Sequence, residues 1–294
     1  MGAVSTGPSS GSTRFLLDGG EDARLPPDDR GLLYGDGVFR TVRVDAGRLC
    51  LRDDQFRTLA RDAARIGLAL HAAQLQRVGE DAERIVGDDS GVLRITVTRG
   101  SGPRGYRPPA VPTPRVLLAF TPTENSSPTG LHVLPGVTLR LARTRLAISP
   151  ELAGIKHLGR LEQVRAAMEC DASDAFDMLM RDPDGQVVCG SRSNLFAVTA
   201  GRILTPRLDR CGVDGVMRGR ILALGGASLP AVEAVPLTLE ALCEADEVFV
   251  TNAVFGLRSV ALLHDEQGAP IRRWSAPGLV TARVIDQLCR LLES

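Results

Sequence analysis

The sequence predicts an α+β fold in two domains. Three observations carry that reading: short apolar runs bounded by Gly, Asp and Pro, amphipathic stretches with three- and four-residue spacing among them, and a break rich in Pro, Ser, Asn, Thr and Gly at 121–130. Of the 294 residues 44% are hydrophobic and 24% charged, the balance of a chain that buries a core rather than one that stays disordered. The break is a linker separating a small N-terminal α+β domain, 14–120, from a larger C-terminal one, 131–294. Residues 1–13, rich in Gly and Ser, are expected to form a flexible tail.

In the first domain Arg14–Leu17, Gly37–Val44 and Arg48–Leu51 have the punctuation of short strands. Asp53 or Asp54 suits the cap of a helix running to about Leu68, with Phe56, Leu59, Ala63 and Ile66 along one face. A second helix is expected over Ala72–Val86, then strands at Gly91–Thr98 and Arg115–Phe120. The second domain opens with strands at His132–Leu141 and Ala175–Asp182 around a helix from Gly159 to Cys170. Leu195–Thr199 and Arg202–Leu204 pair across the turn Ala200-Gly201, and a helix begins directly after glycines at Gly215–Leu224. Strands at Val248–Thr251 and Ser259–Leu263 precede a closing amphipathic helix, Pro277–Leu292.

Composition narrows the function. A formal net charge of zero offers no basic stripe for nucleic acid. No window approaches the roughly 18 consecutive apolar residues of a membrane helix, and Met1–Ser12 lacks a hydrophobic signal core, so a cytoplasmic protein off the membrane is expected. The cysteines are scattered without a C-x-x-C pair and are read as thiols, and the histidines are too dispersed to suggest a metal site.

Lysine usage points to chemistry. The chain has 35 basic side chains, and all but Lys156 are arginine. Arginine stays charged and forms no Schiff base, whereas a desolvated lysine loses its proton and adds to a carbonyl. Lys156 also sits between Gly154-Ile155 and His157 in a loop entering a helix, not on an evident charged face. A functional amine is therefore expected there, against the plainer reading of a leftover surface lysine. The segment Cys211–Arg218 places glycines at a helix start, where backbone amides and the helix dipole favour a phosphate; an ordinary turn is the competing reading. Thr251-Asn252-Ala253, after a hydrophobic strand, could add to such a site. On the loop Arg99–Tyr106, guanidinium groups and a phenol among glycines suit an acidic substrate, with a solvated surface loop as the alternative.

These pieces together resemble, in order and spacing, the class IV aminotransferase-like pyridoxal phosphate enzymes, and within them the aminodeoxychorismate lyases. Arg30–Phe39 is similar to the family's opening motif, Leu152–Val164 to its lysine motif and Thr205–Arg218 to its phosphate-loop segment, and the resemblance runs from about Arg14 to the C-terminus. It implies a two-domain α+β fold of the fold-type IV class, a homodimer, and bound pyridoxal 5'-phosphate. It further implies that Lys156 attaches the cofactor and moves the proton, and that Val213, Asp214 and Gly215 with Thr251 and Asn252 hold the phosphate. Arg104 and Tyr106 would face substrate carboxylates, and Phe39 would line the substrate pocket. The implied reaction converts aminodeoxychorismate to para-aminobenzoate and pyruvate.

Two positions depart from the pattern. Cys189 stands where the family's V-x-E-x-x-x-S-N-L-F type segment places the glutamate that meets the pyridine nitrogen. Thr58 stands where H-x-x-R-L places a phosphate-binding arginine, and Gln55 replaces the histidine. Two functions are thus expected to compete: the lyase, and a cofactor-independent enzyme that uses Lys156 as base or nucleophile on another acidic or chorismate-like substrate. A transaminase, which needs the glutamate more, and a non-enzymatic scaffold, which has no need of the amine, rank behind them.

Overall fold

Alternating apolar residues build the first of two sheets. In the computed structural model, which describes residues 11–22, 24–123, 134–170 and 175–293, the N-terminal segments are Arg14–Leu17 (β1), Arg30–Tyr34 (α1), Gly37–Asp45 (β2), Arg48–Leu49 (β3), Arg52–Arg65 (α2), Ala72–Val86 (α3), Gly91–Thr98 (β4) and Arg115–Pro122 (β5). The strands form a five-stranded antiparallel sheet in the order β1-β5-β4-β2-β3. Val38, Val42 and Val44 of β2 and Leu93, Ile95 and Val97 of β4 are buried, as are Leu59 and Ala63 of α2 and Val78 and Ala82 of α3. Period-2 strands under period-3.6 helices thus make one core. Helix α2 begins without a side-chain cap; its N-cap is Leu51, so Asp53 and Asp54 lie in the first turn, where their charge still favours the positive helix end.

The remaining segments are Val137–Arg145 (β6), Leu161–Met168 (α4), Asp177–Arg181 (β7), Val187–Gly190 (β8), Asn194–Thr199 (β9), Arg202–Pro206 (β10), Val216–Leu224 (α5), Val232–Val235 (β11), Leu239–Glu244 (α6), Glu247–Asn252 (β12), Gly256–His264 (β13), Pro270–Arg273 (β14) and Leu279–Glu293 (α7). Their nine-stranded sheet runs β11-β10-β9-β12-β13-β6-β7-β8, with β14 on β13. Leu139, Leu179, Leu195, Val248, Val250 and Trp274 lie in its main core. The carboxylate of Glu247 accepts from the amides of Val280 (2.9 Å) and Thr281 (2.7 Å) at the start of α7.

The chain divides into two units, 1–127 with His157–Gly159, and 128–156 with 160–294. Most of the expected tail (1–10) and linker (124–130), and the start of the expected strand at His132, lie outside the described residues. That strand, β6, lies later than its hydropathy suggests, at Val137–Arg145. Arginines at 140, 143 and 145 hide its C-terminal half, but Arg140 reaches the Glu266 carbonyl (2.8 Å) and Leu139 and Leu141 fill the core. Among the described residues no helix is long and apolar enough to cross a membrane, and all six cysteines are free.

Asp36 ties the first unit together. It accepts from Arg30 Nε (2.9 Å) and Arg99 Nε (2.8 Å). Burial opposes its ionisation, but the hydrogen bonds and charges of Arg99 and Arg30 outweigh this and hold its carboxyl below the ordinary value. A depressed folded-state value stabilises the fold above the unfolded value of about 3.9, and that stabilisation is lost as pH falls through the folded value. Denaturant unfolding at pH 7, 4 and 3 is therefore expected to show a steeper loss below about pH 4 for the wild type than for Asp36→Asn.

Candidate active site

The loop carrying Lys156 is stitched to the loop that enters α5. Ser149 N donates to Arg210 O (2.8 Å), Gly154 N to Gly212 O (3.0 Å) and Asp214 N back to Gly154 O (2.9 Å). Ile155 is fully enclosed and Lys156, next along the chain, is half-buried. The main chain at Lys156 is thus placed by backbone bonds beside the segment leading into α5.

The helix start is equally fixed. Gly215 is the N-cap in an extended conformation, and a Cβ there would lie 2.2 Å from Asn194 Oδ1, so a side chain would have to displace Asn194. Asn194 in turn donates to Val213 O (2.8 Å). Arg218 reaches back to Asp214 Oδ1 (2.9 Å), Pro206 O (3.0 Å) and Thr205 Oγ1 (3.3 Å), clamping the first turn onto β10. The first intrahelical bond at this end runs from Gly219 N to Gly215 O, so the amides of Val216 and Met217 come before the ladder begins and point out of the helix end.

That geometry redistributes the phosphate set expected from the sequence. The Asp214 amide already serves Gly154 and is not open to a ligand. Thr251 donates its hydroxyl to Gly256 O (2.7 Å), and Asn252 accepts from Val254 N and Phe255 N (both 2.9 Å) while donating to Arg192 O (3.1 Å). Their side chains shape the β12–β13 turn.

Cys189 lies on β8, opposite Met180 of β7, in an apolar cluster with Ala142, Ala166 and Met178. Burial, then the negative charge of Asp177, push its thiol up to about 12, against Arg160 and Lys156, which lie close enough for their positive charges to act on it. Arg160, the N-cap of α4, is itself held below its ordinary value by burial. Sequence reasoning did not single it out, although it stands only four residues past Lys156.

The other expected residues belong to the first unit. Phe39 is buried on β2, with the Arg94 guanidinium carbon 3.8 Å above its ring centroid. Arg104 and Tyr106 are exposed, yet their loop is built rigidly: buried Arg30 donates to Gly105 O (2.9 Å) and Tyr106 O (2.8 Å), and the rings of Tyr34 and Tyr106 meet edge-on at 5.4 Å. Arg30 and Tyr34 lie in the opening motif, whose physical job here is to hold that loop. Thr58 is half-buried on α2, and beside it the Gln55 amide nitrogen is enclosed without a hydrogen-bond partner. Among the described residues no cluster of His, Cys, Asp or Glu is placed to hold a metal.

Residues 37–263 match the family model of class IV aminotransferases. The chain belongs to that family. An aminodeoxychorismate lyase from Vibrio harveyi is 33% identical over 252 residues, covering 84% of this chain and 90% of the relative. The crystal structure of 4-amino-4-deoxychorismate lyase from Pseudomonas aeruginosa superposes with a TM-score of 0.84 at 37% identity, covering 95% of this chain and all of that one. The fold extends further: a Mycobacterium tuberculosis aminotransferase of hypothetical function, in its PLP-bound form, superposes with a TM-score of 0.76 at 20% identity, covering 95% and 98% of the two chains. The class IV aminotransferase fold is therefore that of a family of enzymes, and the lysine loop and the α5 start both fall inside the matched span.

Proposed function

We propose that this class IV enzyme eliminates pyruvate from 4-amino-4-deoxychorismate to give para-aminobenzoate, using pyridoxal 5'-phosphate. The observation that carries the reading is the pair of stitched loops, which set the chain's single lysine beside a helix N-terminus; the two lyase relatives supply the substrate. The residues fit the cofactor at two points. Lys156 suits its aldehyde, and the first-turn amides of Val216 and Met217, with the backbone around Val213, Gly215, Thr251 and Asn252, suit its phosphate. They fit the ring nitrogen differently, as argued below.

When bound, the cofactor supplies a carbonyl carbon and a conjugated ring that acidify the C–H beside the substrate amine. Lys156 Nζ then takes the proton from ring carbon C4. The C3–O bond breaks, the ring becomes aromatic, and the departing enolpyruvate takes up a proton to become pyruvate. Arg104 and Tyr106, on their braced loop, suit the substrate carboxylates, and Phe39 suits the wall of the pocket. A second copy of the chain would cover the apolar side chains of Leu161, Val164 and Met168, which α4 exposes at three- and four-residue spacing, so a homodimer is part of the reading. The free thiols suit the cytoplasm.

Cys189 and Thr58 favour the second reading, a cofactor-independent enzyme with Lys156 as base or nucleophile. Purified protein decides between them. Visible absorbance from bound cofactor, with para-aminobenzoate and pyruvate released in equal amounts from the substrate, is expected; a protein that stays colourless after addition of the cofactor would refute the proposal.

A further inference from the structure

Charged and polar groups that act on the Cys189 thiol include Asp177, Cys211, Arg160 and Lys156. Asp177 is the carboxylate among them, and its oxygens are taken: Oδ1 accepts from Met178 N (2.8 Å), Ser191 N (3.0 Å) and Ser191 Oγ (2.6 Å), and Oδ2 from Ser193 Oγ (2.5 Å). Glu162, which acts on Arg160 from α4, accepts from Ala147 N (2.8 Å). Arg160 keeps its Nε enclosed without a hydrogen-bond partner. A buried N–H of that kind calls for an acceptor. The neighbourhood of residue 189 therefore offers an S–H, a guanidinium and carboxylates committed elsewhere.

We propose that Cys189 and Arg160 form the ring-nitrogen subsite of this enzyme and keep the pyridine nitrogen of bound pyridoxal phosphate unprotonated. The inference rests on the cofactor reading above. A pyridinium is stable in a buried site when a carboxylate shares its proton; a neutral thiol offers no such charge, and a nearby guanidinium repels the cation. An unprotonated nitrogen, by contrast, accepts from S–H or from guanidinium N–H and supplies the acceptor that Arg160 lacks. Arg160 keeps its charge when Lys156 is engaged with the cofactor, so the preference does not depend on the lysine.

The consequence is selectivity. With no proton on the ring nitrogen, less electron density moves from the substrate carbon into the ring. A reaction that discharges those electrons through a leaving group and gains an aromatic product tolerates this, whereas amino-group transfer, which must store them on the cofactor, does not. Cys189 would thus separate elimination from transamination within one fold.

The test is nitrogen NMR of the wild-type protein reconstituted with ring-15N pyridoxal phosphate. A resonance in the free-pyridine region is expected, moving upfield to the pyridinium region in Cys189→Glu and staying in place in Cys189→Ser. A wild-type resonance at the pyridinium position overturns the proposal and leaves the cofactor reading intact. Failure to take up labelled cofactor overturns both. The decisive spectrum is that of the wild type, so poor folding of Cys189→Glu leaves the outcome unambiguous.

Discussion

Replacing Lys156 by alanine is expected to lower turnover of aminodeoxychorismate by about a thousandfold or more while leaving the melting temperature nearly unchanged. The two halves of that expectation have separate origins. Loss of activity follows from removing the amine that both attaches the cofactor and carries the proton, roles that act as a unit and are lost together. Retention of the fold follows because the lysine loop is fixed by backbone bonds, Ser149 to Arg210 and Gly154 to Gly212, and by the enclosed Ile155. Lys156→Arg is the sharper variant. It keeps charge and length, so a merely electrostatic role would survive it, whereas a guanidinium neither adds to an aldehyde nor accepts a proton near neutral pH. Rates in single-turnover assays, with absorbance and thermal melts on the same samples, check all of this; appreciable turnover by Lys156→Arg would refute the assigned chemistry.

Lys156 was legible in the sequence because the chain uses arginine almost everywhere else, and that same habit hid the supporting residues. Arg30 braces the loop of Arg104 and Tyr106, Arg218 clamps the start of α5, and the positive charge of Arg160 acts on the Cys189 thiol. Among 34 arginines nothing in composition distinguishes them, since the role is set by which carbonyl or carboxylate the folded chain brings near. The phosphate site shows the same limit. Glycines and a helix start announce it, but which amides remain open depends on the partner of Asp214, a bond between segments sixty residues apart in sequence.

Local chemistry predicted long elements best. Helix α3 and strand β4 have the expected bounds, because each carries its period over several repeats. Helix α1 escaped notice for want of length, yet its ends were written in the chain: Asp29 accepts from the amides of Gly31 and Leu32, and Gly35 closes the helix with a φ of 67° that disfavours a side chain. Strand β8, four residues long and buried throughout, lacks the alternation that marks a half-exposed strand, so its position was masked even though Cys189 on it was singled out.

The largest stability effect is expected at Asp62. Its carboxylate pairs with Arg40, which β2 sends to the α2 side of the first sheet, and both side chains are almost completely enclosed, at 0% and 2% exposed. Arg61 also reaches Asp62, at 3.0 Å, but from a half-exposed position. Asp62→Leu takes the paired carboxylate away from the buried Arg40 guanidinium and should cost about 3–5 kcal/mol, because that attraction no longer offsets the desolvation of the charge. Arg40→Leu should cost less, since Arg61 still neutralises the carboxylate from the solvent side. In the double variant no charge is left stranded, and Leu fills apolar space between sheet and helix, so its loss should be smaller than that of Asp62→Leu alone. Urea unfolding of the four proteins, with slopes compared to confirm a common denatured state, measures the coupling. A double variant less stable than Asp62→Leu would mean that Arg40 without Asp62 is tolerated better than leucine at that position and would overturn the desolvation argument, whereas a double variant well below the wild type would make this ion pair a net source of stability in the first sheet.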